Sequence, residues 1–241
     1  MTLHKTKLVI ITLILFIAGC TEKDDLTLPV KVYFKIGISP ESGYSDTYLS
    51  FAEGQIGIQR IQFEGKREAG EDVFFETDPK MNLQTLEFST VVNPVISDFD
   101  IPQGIYNYMK WDINLKRIVI DNYTDSLSIG LVISGIYEYS DLSSIPVVIY
   151  IDDTEQFTVK SSDLDGNSGI VLSVNKDYYE AILVLAPGYT FSSISRESLE
   201  EAADISLDRG HSAIMISSSE NENLYENLLY RIEQSAKIIF K

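Results

Sequence analysis

Apolar and polar side chains alternate along much of this chain. In VKVYFKIGI, Val30, Val32, Phe34, Ile36 and Ile38 fall on one side and Lys31, Tyr33, Lys35 and Gly37 on the other. That period of two marks a half-buried strand. GQIGIQRIQFEG begins with Ile56 and Ile58 in one phase and ends with Ile61 and Phe63 in the other. A one-residue slip would turn one pair toward water, so the pattern predicts a bulge near Gln59-Arg60. EGKREAGED, which carries Gly65, Gly70 and charge between two apolar segments, reads as an exposed hairpin loop.

Further strands are predicted over 73–76, 84–91, 95–101 and 105–115, with a tight turn at Pro102-Gln103-Gly104, where proline presets φ and glycine closes the turn. In IYNYMKWDINL, Ile105, Met109, Trp111, Ile113 and Leu115 share one face, and Tyr106, Tyr108, Lys110 and Asp112 the other. This assigns Trp111 to the core. It also makes Tyr106 and Tyr108 candidate ligand-binding residues, an aromatic strip on the outer face of a sheet.

The second half continues with strands over 117–120, 126–137, 147–151, 156–159, 170–174 and 179–185. APGYTFSSISRESLEEAAD breaks the alternation. Ser195 is placed to cap a short helix running through Ala203, with Glu197 facing the positive helix end. Leu224, Tyr225, Leu228, Leu229 and Ile232 recur at helical spacing, and KIIFK after them returns as a strand. The expected fold is mainly β, an antiparallel β-sandwich (one large or two small) with a C-terminal amphipathic helix packed on its edge. The expected organisation is a leader over 1–19, a tether over 20–28, a first β-sandwich unit over 29–116 and a second β-rich unit with the helix over 117–241.

The leader follows from the first twenty residues. Lys5 and Lys7 precede an apolar run that shrinks to Ala18-Gly19-Cys20. The twelve residues from Leu8 to Gly19 extend about 18 Å as a helix, short of the roughly 30 Å hydrocarbon core of a bilayer. A basic start, a short apolar middle and small residues before the cut are the grammar of a signal peptide. IAGC resembles the lipobox of bacterial lipoproteins, which implies that Cys20 is acylated and becomes the first residue of the mature chain. Thr21-Glu22-Lys23-Asp24-Asp25 follows, and Lys23, Asp24 and Asp25 resemble the export signal of surface lipoproteins in Bacteroidota, a lysine followed by two acids. The resemblance implies a protein anchored by lipid in the outer membrane and facing the cell surface.

Cys20 is the only cysteine, so the body has no disulfide, thiolate metal site or cysteine nucleophile. Residues 1–19 hold two lysines and no acid, and removing them takes the net charge from −17 to −19. Nucleic acid, whose binding depends on basic residues displacing counterions, is excluded as a partner. Of the two histidines only His211 lies outside the leader, so it would have to serve alone in a serine-histidine-acid triad, and it reads more simply as a histidine at a turn or strand start. No G-x-S-x-G elbow, H-E-x-x-H helix, Walker loop or dinucleotide fingerprint occurs.

DLDGNSG sets Asp163, Asp165 and Asn167 at the alternate positions from which an EF-hand loop offers oxygens to calcium. Ser168 stands where that loop needs glycine and Val174 where it needs glutamate, so a turn between strands competes with a calcium site. No other cofactor is expected. The lipobox, acidic tether and β-rich body together resemble small surface lipoproteins of Bacteroidota built from transthyretin-like or immunoglobulin-like sandwiches. The resemblance implies a non-enzymatic binding or adhesion module for a glycan or protein partner. A structural or assembly subunit of a fimbria-like complex and a glycan hydrolase using paired carboxylates are the alternatives.

Overall fold

The structure, a computed structural model, describes residues 25–39, 48–77, 85–120, 128–139, 141, 143–192, 194–202, 204–207 and 211–241; the side chains of 204–207 and of His211 lie outside that description. The described strands are β1 (Pro29–Ile38), β2 (Leu49–Ile56), β3 (Ile58–Arg67), β4 (Val73–Glu76), β5 (Leu86–Ser89), β6 (Val95–Pro102), β7 (Gly104–Leu115), β8 (Ile129–Glu138), β9 (Ser144–Asp152), β10 (Gln156–Ser162), β11 (Ile170–Leu172), β12 (Tyr179–Leu185), β13 (Asp204–Leu207), β14 (His211–Ile216) and β15 (Lys237–Phe240). Among the described residues three helices accompany them: α1 (Pro187–Phe191), α2 (Arg196–Glu200) and α3 (Glu222–Ser235). A nine-stranded sheet runs β4-β3-β7-β10-β15-β12-β1-β6, with β11 beside β7, and a six-stranded sheet runs β13-β14-β9-β8-β2-β5. The protein is mainly β, its sheets packed in a sandwich-like arrangement with the C-terminal helix against them, as the alternation predicts.

The sandwich is not wholly antiparallel. β1 with β12, β10 with β15 and β9 with β14 are parallel pairs, and parallel neighbours need long crossovers. α3 is part of the long connection between the parallel neighbours β10 and β15, carrying the chain from β14 in one sheet to β15 in the other. The expected boundary at 116/117 runs through both sheets: β1 pairs with β12, β7 with β10 and β2 with β8. A single hydrophobic cluster extends from Val30 to Phe240. Periodicity shows which faces are apolar but not which strands pair, so this interleaving left no trace along the sequence.

The large sheet curls. β6 lies at one end of its order and β7 near the other, yet Gln103 alone joins Pro102 to Gly104. Consecutive Cα atoms are about 3.8 Å apart, so the sheet must bring these ends together, and it is nearly barrel-shaped. Aromatic rings fill the closure. Phe75 of β4 and Phe99 of β6 lie 4.8 Å apart between centroids, and Trp111 stands 4.9 Å from Phe34 and 4.6 Å from Phe63. Trp111 is fully buried and donates from Nε1 to Ser161 Oγ at 2.9 Å, so its assignment to the core holds.

The predicted bulge is present: the β3–β7 register slips between Ile58 and Arg60, which lets Ile58 and Ile61 both point inward. Between Ile56 and Ile58 the chain changes sheets at Gly57. Gly57 accepts from Lys116 N and donates to Gly130 O, and a Cβ there would lie 2.4 Å from Lys116 O. A second slip, between Lys66 and Arg67, sets two steps of β7 against one of β3 and makes Asn107 the extra residue. Tyr106 is thereby turned inside. It is fully buried and donates to Pro102 O at 2.7 Å, which corrects the expectation of an exposed Tyr106–Tyr108 strip.

The expected strand over 117–120 is also absent. Residues 116–120 carry no regular structure and are tied down by Ile118 N donating to Ile129 O. The helix expected from Ser195 forms but ends at Glu200, with Ser195 Oγ accepting from Ser198 N. Arg196 docks it on β8, donating to Glu138 O at 2.6 Å and to Tyr137 Oη at 3.1 Å. In α3, Tyr225, Leu228 and Ile232 are the buried face, as their spacing requires.

Candidate functional site

β8 and β9 are apolar on both faces. Leu131, Ile133, Val147 and Ile149 point into the main core. Val132, Val148 and Tyr150 point the other way and join Ile118, Ile129 and Met215 in a second cluster on the outer face of the six-stranded sheet, with Ile120 packed against it. An outer sheet face facing only water would be polar. Here residues 116–120 cross it as a strap and cover part of it.

Beside the strap lies a groove of about 520 Å³. Val132, Val148 and Tyr150 form its floor, Glu53, Gln55, Glu87, Ser89 and Ser134 its polar side, and Ile120 and Val92 are further apolar wall residues. Pairing explains the layout. Gln55 stands opposite both Val132 and Glu87, and Glu53 opposite both Ser134 and Ser89, so polar side chains of β2 and β5 continue the same face that β8 and β9 make aliphatic. Ser89 fixes the Val92 wall: its hydroxyl accepts from Val91 N and Val92 N, and its own N–H donates to Val92 O. The sequence neighbours of the two wall residues, Val91 and Val119, are 85% and 84% exposed.

Sequence reasoning missed this groove. Its signal was the unbroken apolar runs VVIY in β9 and LVI in β8, where a one-faced strand would alternate.

The residues singled out from sequence are not brought together there. Cys20, Lys23 and Asp24 lie outside the described residues. Asp25 is described: its carboxylate accepts from Thr27 N at 3.0 Å and Thr27 Oγ1 at 2.6 Å, and these bonds hold its pKa below the usual carboxylate range. Tyr108 is half-buried, with the ammonium groups of Lys66 and Lys160 over its ring at 5.6 and 5.9 Å, within cation–π range.

Asp163, Asp165 and Asn167 form a turn instead of an oxygen cage. The Asp163 carboxylate accepts from Asp165 N, Asn167 N and Asn167 Nδ2 at 2.7–3.0 Å. Asn167 thus presents its amide N–H to the aspartate, where a calcium ligand would present oxygen. The side-chain and backbone donors of Asn167 lower the Asp163 pKa. Among the described residues no three His, Cys, Asp or Glu side chains converge on a point that could hold a metal.

Glu155, at the β9–β10 turn and outside the groove lining, is raised above the usual range by burial first and then by Asp152 and Glu233. No helix among the described residues is long and apolar enough to cross a membrane. Comparison with known proteins finds no matching family model, no matching curated protein and no matching solved structure.

Proposed function

We propose that the protein is a lipid-anchored lipoprotein of the cell envelope, held in the outer membrane through Cys20 and facing the cell surface, whose body is a non-enzymatic binding or adhesion module for a glycan or protein partner. The observation that carries the binding reading is the groove on the six-stranded sheet. Its apolar floor, two valines and Tyr150, and its aliphatic walls offer burial, and Glu53, Gln55, Glu87, Ser89 and Ser134 along one side offer acceptors and donors that fix orientation, the usual composition of a pocket. A pyranose ring, with one apolar face and a hydroxyl edge, matches that division, and so does an extended peptide. The resemblance of IAGC and of Lys23-Asp24-Asp25 to lipoprotein signals supports the address.

The test uses the chain from residue 21 onward on a glycan array and against host and bacterial surface proteins, beside the variants Val92→Asp and Ile120→Asp. Binding that both variants abolish while far-UV circular dichroism is unchanged supports the groove; binding that neither affects refutes it. For the address, Cys20→Ala should release the protein from membranes, and continued membrane fractionation would contradict the anchor.

A second reading, an assembly subunit, is favoured by one feature. The C-terminal strand β15 lies inside the large sheet, between β10 and β12, so its departure would open a slot that another chain's strand could fill. Deletion of 237–241 with rescue by an added peptide KIIFK would support it. The hydrolase alternative would place its acid pair at Glu53 and Glu87, diagonal neighbours across the β2–β5 ladder, and requires glycan cleavage that Glu53→Gln or Glu87→Gln abolishes.

A further inference from the structure

The chain enters the body at one end of the large sheet, and that entry is clamped. Gln103 makes the clamp: its Nε2 donates to Asp25 O at 2.8 Å, its N–H donates to Leu28 O at 2.8 Å, and its Oε1 accepts from Val174 N at 3.3 Å. Arg67 adds a bond from a guanidinium nitrogen to Leu26 O at 2.7 Å. The tether is therefore part of the fold from Asp25 onward.

Apolar side chains stand exposed around the clamp. Leu28 and Val174, whose backbones Gln103 holds, are 42% and 44% exposed, and the cross-strand pair Ile105 and Val171 is 43% and 58% exposed. The loop after β11 adds Tyr178, 48% exposed, and Lys176, whose ammonium lies over the Tyr179 ring. Tyrosine and lysine beside aliphatic residues are the composition of side chains that sit at a lipid–water boundary.

We propose that this end of the nine-stranded sheet, with Leu28, Ile105, Val171 and Val174 at its centre, is a seat that rests against the lipid surface. The inference depends on the acylated Cys20 proposed above. From Cys20 to Asp25 are five residue steps, at most about 17 Å of extended chain, so an acylated Cys20 cannot let the clamp drift far from the bilayer. The local charges are mixed, with Lys66 and Arg67 beside Glu68 and Glu71 in the adjacent hairpin, and the mature net charge is strongly negative. Apolar contact rather than charge therefore holds the seat against lipid.

The orientation carries a consequence for the groove. β6 leaves the Val92 wall at Val95 and reaches the clamp at Pro102, seven steps later, or about 23 Å along a strand. Seated in this way, the protein holds its groove away from the lipid and toward the surroundings.

The test places a polarity-sensitive fluorophore on an engineered cysteine, Val171→Cys or Val92→Cys, in the full acylated protein, where the Cys20 sulfur is blocked by its thioether. The protein is reconstituted in phosphatidylcholine vesicles with or without a nitroxide-bearing lipid, after mass spectrometry has measured the acyl chains. The seat predicts blue-shifted emission and strong nitroxide quenching at 171, neither at 92, and reduced quenching at 171 when Ile105→Asp is added without loss of acylation. Equal quenching at both positions, or none at 171 in acylated protein, overturns the seat and leaves the anchor standing. An unacylated Cys20 overturns the anchor instead. Shielding at 171 that grows with protein concentration in lipid-free detergent assigns the patch to a second copy of the chain and also overturns the seat.

Discussion

Replacing Trp111 tests the account of how the large sheet closes. The indole contacts rings from four strands: Phe34, Phe63, Phe75 and Phe99 lie 4.9, 4.6, 6.2 and 5.7 Å from it between centroids, and its N–H donates to Ser161 Oγ, itself in a residue only 6% exposed. Truncating a buried tryptophan to alanine costs about 3–5 kcal/mol. Phenylalanine keeps most of the ring, so Trp111→Phe should lose about 1–2 kcal/mol in packing. It also strands the serine hydroxyl, which adds about 1–3 kcal/mol. Ser161→Ala should cost about 1–3 kcal/mol by leaving the indole N–H without its acceptor. The double variant removes both polar groups, so its cost should fall short of the sum of the singles by about 1 kcal/mol or more. Urea unfolding of the chain from residue 21, followed by far-UV circular dichroism because Trp111 is the sole tryptophan, measures all four corners of the cycle. Additivity within about 0.5 kcal/mol would show that the bond between β7 and β10 contributes nothing of its own.

Three further outcomes follow from named contacts. Burial, in Tyr137 joined by the Glu200 carboxylate, pushes Tyr106, Tyr137 and Tyr225 up to about 12 from an ordinary value of 10.0; a folded-state pKa above the unfolded one means stability is whole below pH 10 and falls as pH rises toward 12, so alkaline unfolding should accompany a late phenolate absorbance step, and ordinary titration of all tyrosines in the native protein would refute the burial. Asp163→Ala should lower Tm without calcium, because the carboxylate closes its loop through Asp165 N and Asn167 N, while calcium or a chelator should leave wild-type Tm unchanged; a calcium-dependent rise would restore the metal reading. Gly57→Ala should destabilise by about 1–3 kcal/mol, since its Cβ would meet Lys116 O and Ile118 Cγ2 at 2.4 and 2.7 Å, whereas Gly169→Ala meets nothing within 4 Å and should be neutral in the same urea titration.

The strands were legible wherever one face met the core and the other met water. β1, β12, α3 and β15 lie where alternation or helical spacing put them, and the phase reversal between Ile58 and Ile61 revealed its bulge because both residues had to be buried. Tyr106 was misread for a related reason. The extra Asn107 reverses the phase, but Ile105 is apolar and continued the wrong one, so nothing in the alternation exposed the slip. A local sign existed: a tyrosine turned inward needs a partner for its hydroxyl, and the Pro102 carbonyl lies four residues back. Residues 117–120 failed differently. Ile118, Val119 and Ile120 read as a strand, yet Ile118 and Ile120 pack against the outer face of a sheet whose own strands were apolar on both sides, and Val119 is exposed. The curl of the large sheet and the pairing of distant strands depend on contacts between segments far apart in sequence, which no local pattern carries.

On the proposed reading, any pull between a bound partner and the lipid must pass through β1. The tether leads into that strand within four residues of Asp25, and β1 lies between β12 and β6, in register with seven residues of each. The tether and the Val92 wall lie at opposite ends of β6, so force between anchor and groove runs along the strands. Ladder bonds lie across the strands, so this direction shears many of them at once, while a pull across the sheet edge would part them one after another. The Gln103 clamp bears the load before β1 does. Gln103→Ala removes the bond to Asp25 O but keeps the backbone bond to Leu28 O, so the double variant Gln103→Ala/Arg67→Ala, which also removes the bond to Leu26 O, should free residues 25–27 to extend while leaving the β1 ladders intact. In single-molecule pulling by Cys20 and an engineered attachment at Val92, that variant should show an early release of a few residues and an unchanged main rupture force; a lowered main rupture with no early step would mean that the clamp supports β1 itself and that the tether does not end where these bonds put it.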